Sequence, residues 1–69
     1  MKGHPSAMLR LPAVIGFTGL SRSTIYRLAS LGEFPKAIKL TERTTAWCAL
    51  EVAHWIESRR AARDEKLAA

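Results

Sequence analysis

Apolar and polar positions alternate along this chain in three distinct rhythms. Leu9 and Leu11 flank Arg10, the spacing of a short extended entry. Pro12 suits a first helical turn, where a missing N–H is harmless, and Val14, Ile15 and Phe17 follow it. A short helix is expected over 12–18, weakened by Gly16 and ended by Gly19 in the left-handed conformation. Ser21 is a natural N-cap for a second helix, because its hydroxyl can accept from the free N–H of residue 23 or 24. Leu20, one residue before that cap, is placed to pack on Ile25. Ile25, Leu28 and Ala29 are spaced i, i+3, i+4 and form one apolar stripe. Arg22, Ser23, Tyr26 and Arg27 fall off that stripe, and Gly32 closes the helix.

Beyond Pro35 the rhythm changes. Two β-favouring runs, over 37–40 and 44–47, are separated by Thr41-Glu42-Arg43, which predicts a hairpin whose turn lacks Gly or Asn. A third helix follows, with Val52, Trp55 and Ile56 again at i, i+3, i+4 and Glu51 in the first turn, where the helix dipole favours an acid. After Ser58 the residues are nearly all helix formers with no glycine or proline, so the helix extends into a fraying tail over 61–69. Residues 1–8 carry Gly3, His4, Pro5 and Ser6 without periodicity and are expected to be a disordered leader. One domain over 9–60 remains. It is mainly α with a small β-hairpin, in the order helix, turn, helix, hairpin, helix of a winged helix-turn-helix.

Charge sharpens this picture. The 69 residues carry a net +5, which suggests nucleic acid or an acidic surface as partner. The excess is confined to the first two-thirds. Lys2, Arg10, Arg22, Arg27, Lys36, Lys39 and Arg43 are opposed there only by Glu33 and Glu42, whereas from Cys48 onward acids and bases balance. A B-DNA major groove about 12 Å wide admits one helix. On the exposed side of the second helix, Arg22 can grip a guanine edge or a phosphate, and Arg27 can reach the backbone. Ser21, Ser23 and Thr24 are short donors at a helix N-terminus, where free N–H groups also attract phosphate. Tyr26 can donate to a phosphate or stack on a sugar, and Lys36, Lys39 and Arg43 in the hairpin can contact flanking phosphates or a minor groove. Each has a plainer reading: a solvated helix face for the arginines, a simple cap for Ser21, surface polarity for Ser23 and Thr24, a cover for the core edge for Tyr26. Trp47, Trp55 and Phe34 read as core.

Other chemistry finds little footing. His4 and His54 lie far apart, and no nucleophile–base pair, carboxylate pair or phosphate-cradling glycine loop is visible, so no enzyme and no cofactor is expected. Cys48 with His54 falls short of a zinc set. A lone cysteine excludes an internal disulfide and fits a reducing compartment. No apolar run approaches the ~18 residues of a membrane span, and no signal peptide is apparent, so a cytoplasmic location is expected.

The runs Arg10-Leu11-Pro12-Ala13-Val14 and Thr18-Gly19-Leu20-Ser21-Arg22-Ser23-Thr24-Ile25-Tyr26-Arg27 resemble the AlpA family of prophage regulators. So do Gly32-Glu33-Phe34-Pro35-Lys36, Lys39-Leu40, Trp47, Glu51-Val52 and Trp55-Ile56. The resemblance covers about residues 9–60. It implies a MerR-like winged-helix DNA-binding domain in a phage or prophage transcription factor, which in some members promotes excision by regulating or assisting an integrase. Carried over by motif, Ser21, Arg22, Ser23, Thr24, Tyr26 and Arg27 would form the recognition helix, and Lys39 and Arg43 would belong to the wing. Two positions depart from the family pattern. The wing tip carries Glu42, which would be repelled by phosphate and is expected to point outward, and Phe17 stands where a polar residue is usual. Phe17 and the long last helix keep a second reading open: a protein-interaction module, such as an integrase partner or anti-repressor, with secondary DNA binding. An RNA-binding module is a third, disfavoured by the lack of an aromatic sheet platform. Self-association on DNA would suit so small a reader.

Overall fold

The computed structural model describes residues 7–68. The order is β1 (Met8–Leu9), α1 (Leu11–Thr18), α2 (Arg22–Ser30), β2 (Ile38–Thr41), β3 (Thr44–Cys48) and α3 (Ala49–Ala68). The three strands form one antiparallel sheet in the order β1-β3-β2. This three-helix, three-strand arrangement is compatible with a winged-helix-like fold.

The first helix starts at Leu11, one residue earlier than its proline signal, because the Arg10 carbonyl accepts from both Ala13 and Val14 N–H. Gly19 ends it at φ 75°, with its N–H donated to the Ile15 carbonyl at 2.8 Å. The left-handed turn this glycine permits lets α2 begin three residues later. There the Ser21 hydroxyl accepts from the Thr24 N–H at 3.3 Å, the expected cap. At the other end Gly32, φ 77°, donates to the Ala29 carbonyl while Glu33 donates to that of Leu28. That nested pair of bonds is a Schellman closure, and it stops α2 where its glycine predicted.

The hairpin is displaced slightly from its expected bounds, to 38–41 and 44–48. Ile38 pairs with Ala46 and Lys39 with Thr45, but next comes Thr41 with Thr44, so Leu40 is an extra residue in a β-bulge. No residue other than glycine has a positive φ among those described. The turn therefore does without the left-handed pair that tight two-residue hairpins use, and the bulge supplies twist instead.

The strand β1 belongs partly to the expected leader. Met8 pairs with Cys48 and Leu9 with Trp47, and the Ala7 carbonyl accepts the Ala49 N–H at 2.8 Å. Ordering of 7 and 8 thus comes from the free edge of β3, a partner far away in sequence. Residues 1–6 of that leader lie outside the described residues. The tail over 61–69 continues α3 as far as Ala68, with residues 57–67 exposed.

The core is built from every element except β2. Val14, Ile25, Phe34, Trp47 and Val52 are buried together, with Leu9, Leu28, Trp55 and Ile56 against them. Trp47 on the central strand is fully enclosed, and its indole N–H is donated to the Pro35 carbonyl at 3.1 Å. Trp55 donates to the Glu33 carbonyl at 2.7 Å and sets its ring edge-on to Phe34 at 4.9 Å. Two indoles from the sheet and α3 therefore tie down the α2–β2 connection by its backbone. No helix among the described residues is long and apolar enough to cross a membrane.

Candidate nucleic-acid interface

The interface is built outward from α2. Ile25 faces the core and is buried; Leu28 and Ala29 are half-buried beside it. The opposite side presents Ser21, Arg22, Ser23, Tyr26 and Arg27, all exposed. The segment Arg22–Ser30 contains no acid, so nothing along the helix offsets its two arginines or the positive end of its dipole.

At the N-terminus three hydroxyls form one cluster. Ser21 donates to the Thr24 hydroxyl oxygen at 2.9 Å while accepting from the Thr24 N–H, and Ser23 Oγ lies 3.5 Å from Ser21 Oγ. Thr24 is half-buried, with its hydroxyl already engaged. Ser21 and Ser23 are exposed, but the Ser21 hydroxyl is engaged by Thr24 as both donor and acceptor. Arg22 and Tyr26, one turn apart, meet: the guanidinium carbon stands 5.8 Å from the centroid of the phenol ring. The same ring meets Trp47 edge-on, with centroids 5.8 Å apart and planes at 62°. Tyr26 is 42 % exposed, so it is both a cover for Trp47 and part of the surface.

The hairpin brings the remaining candidates. Lys39 and Arg43 are exposed, one on β2 and one in the turn, where the Arg43 N–H is donated to the Thr41 hydroxyl at 3.3 Å. Glu42 is exposed beside Arg43. Lys36 sits elsewhere, on the rim of an open cleft of about 570 Å³ between the β2 entry and α3, together with Glu51, His54 and Trp55. The structure thus gathers Ser21, Arg22, Ser23, Tyr26 and Arg27 on one helix face, sets Lys39 and Arg43 on the hairpin, and leaves Lys36 nearer α3. Sequence reasoning missed the Arg22–Tyr26–Trp47 stack. The i, i+4 spacing of Arg22 and Tyr26 was its only visible signal; the distance from Tyr26 to Trp47 in sequence hid the rest.

The glycine turn, the capped basic helix and the hairpin in a small three-stranded sheet are compatible with a winged-helix-like fold. Residues 7–60 match the family model described as prophage CP4-57 regulatory protein (AlpA). The chain belongs to this AlpA family of prophage regulatory proteins. It is 36% identical over 58 residues to the "DNA-binding transcriptional activator AlpA" of Escherichia coli K12, covering 75% of this chain and 83% of that protein. It is also 47% identical over 55 residues to "Uncharacterized protein ORF88" of Enterobacteria phage P4, covering 80% of this chain. It spans 62% of that phage protein's length.

Proposed function

We propose that this chain is a sequence-specific double-stranded DNA-binding transcriptional regulator of prophage type, with a MerR-like docking in which α2 enters the major groove and the hairpin acts as the wing. The observation that carries the reading is the division of α2: Ile25 buried, and an acid-free polar face with Arg22 and Arg27 turned to solvent. The name of the Escherichia coli relative supports it. Arg22 reads a base edge; Ser21, Ser23, Tyr26 and Arg27 hold phosphate or sugar; Thr24 contributes mainly by holding Ser21. Lys39 and Arg43 grip flanking backbone from the wing, and Lys36 adds positive potential from its cleft. The regulated process is prophage excision, through expression or assistance of an integrase, and the chain works in the cytoplasm on its own genomic neighbourhood.

A salt titration of binding to duplex DNA from that neighbourhood tests this. Log affinity should fall linearly with log salt, with a slope of about −3 to −4 if three or four of the five basic candidates meet phosphate. Absence of binding at micromolar protein and low salt overturns it.

A second reading has its own observation. Phe17 is 65 % exposed and borders an apolar cavity of about 180 Å³ lined also by Leu9, Ala49, Val52, Ala53 and Ile56. A protein partner such as the integrase would dock there. Partner binding that survives Arg22→Glu with Arg27→Glu and is lost in Phe17→Ser separates this role from DNA binding.

A further inference from the structure

We infer that Tyr26 is a positioning residue for sequence reading: its ring, braced by Trp47, holds the Arg22 guanidinium in the pose that reads a base. The inference rests on the DNA-binding function proposed above and assigns Tyr26 a task beyond a phosphate contact. Arg22 is a long side chain on an exposed helix face, with several rotatable bonds to restrain before its fork can meet a base edge. The ion pairs among the described residues are Arg60–Glu57 and Arg63–Asp64, so no carboxylate restrains Arg22. The phenol ring does, with the guanidinium carbon 5.8 Å from its centroid. A ring attracts a cation through its quadrupole and takes no N–H donor, so all five donors stay available for a base. An acidic partner would have used the donors and cancelled the charge.

The ring is itself held. Its contact with Trp47 is edge-on at 5.8 Å. Trp47 is fully buried on the central strand and tethered to the Pro35 carbonyl. The brace therefore runs from the core to the guanidinium in three side chains. Restraint of this kind lowers the ordering cost of binding and confines the fork to one geometry, which bears on discrimination between bases more than on general affinity.

The test is a ratio, taken on a site first mapped by footprinting on duplex DNA from the protein's genomic neighbourhood: affinity for that site over affinity for the same site with the base pair read by Arg22 changed. Any loss of folded protein weakens both members equally, so the ratio reports reading and not stability. Arg22→Ala should remove a discrimination on the order of tenfold, the scale of one bidentate contact. Tyr26→Leu should remove most of it too, and Arg22→Ala with Tyr26→Leu should do no more than Arg22→Ala alone. Tyr26→Phe keeps the ring and loses only the hydroxyl; it should weaken both members and preserve the ratio. A Tyr26→Leu ratio equal to wild type, with Arg22→Ala still lowering it, overturns the inference and leaves the DNA-binding function standing. A ratio that Arg22→Ala leaves intact overturns both the brace and the base-reading role of Arg22.

Discussion

Ser21 carries two duties that one substitution can separate. Its hydroxyl caps α2 through the Thr24 N–H, a bond worth about 1 kcal/mol in comparable helices. It also stands exposed at the positive end of the dipole, where a phosphate would sit. Ser21→Ala should lose the cap and lower the melting temperature by about 4–8 °C, the scale for a domain of this size. Ser21→Asp should keep the cap and match the dipole, leaving thermal stability at or above wild type, while its charge repels phosphate and lowers DNA affinity several-fold. Calorimetric melting beside a binding titration checks the pair. Equal DNA affinity in Ser21→Asp and wild type would remove Ser21 from the phosphate contacts.

At the scale of elements, α2 and the hairpin differ in how firmly they are built. The helix has a cap, a buried stripe and a Schellman closure, each written locally by Ser21, Ile25 and Gly32. The hairpin has a bulge at Leu40, four exposed residues in β2 and an acid at its tip. Its charge is the clearest handle on whether it touches DNA. Glu42→Lys replaces an exposed turn residue, so stability should move by no more than about 0.5 kcal/mol. If the wing lies along the backbone, removal of a repulsion and gain of a phosphate contact steepen the salt slope by about one. An unchanged slope would place the wing tip off the DNA.

Trp47 unites the whole molecule. It lies on the middle strand, fills the core, pins the loop at Pro35 and braces Tyr26. A 69-residue chain has roughly 3–10 kcal/mol of total stability. Trp47→Phe keeps an aromatic but leaves a void and an unpaired Pro35 carbonyl, a loss of about 2 kcal/mol or more. Denaturant unfolding should register that drop, with the loop over 31–37 losing amide-exchange protection more than α1. Protection lost uniformly would mean that the tryptophan serves the core alone.

The locally encoded features were legible in the residues themselves: the two helices with their glycine turn, the cap at Ser21, the stop at Gly32, the hairpin within a residue, and the polar face of α2. Each depends on neighbours within about one helical turn, or within eight residues in the hairpin, and caps, periodicity and turn chemistry are local physics. Three features came only with the tertiary structure. The extended entry expected from Leu9 to Leu11 pairs as a strand only at Met8 and Leu9, where it meets the open edge of β3, while Leu11 is already helical. The loop after α2 is shaped by indole N–H bonds from Trp47 and Trp55, 12 and 22 residues removed from their acceptors. The brace behind Arg22 needs Trp47 brought beneath Tyr26. An unpaired strand edge, a carbonyl seeking a donor and an aromatic face carry no sign in the sequence of which distant group will meet them. Packing of the one small core decides that.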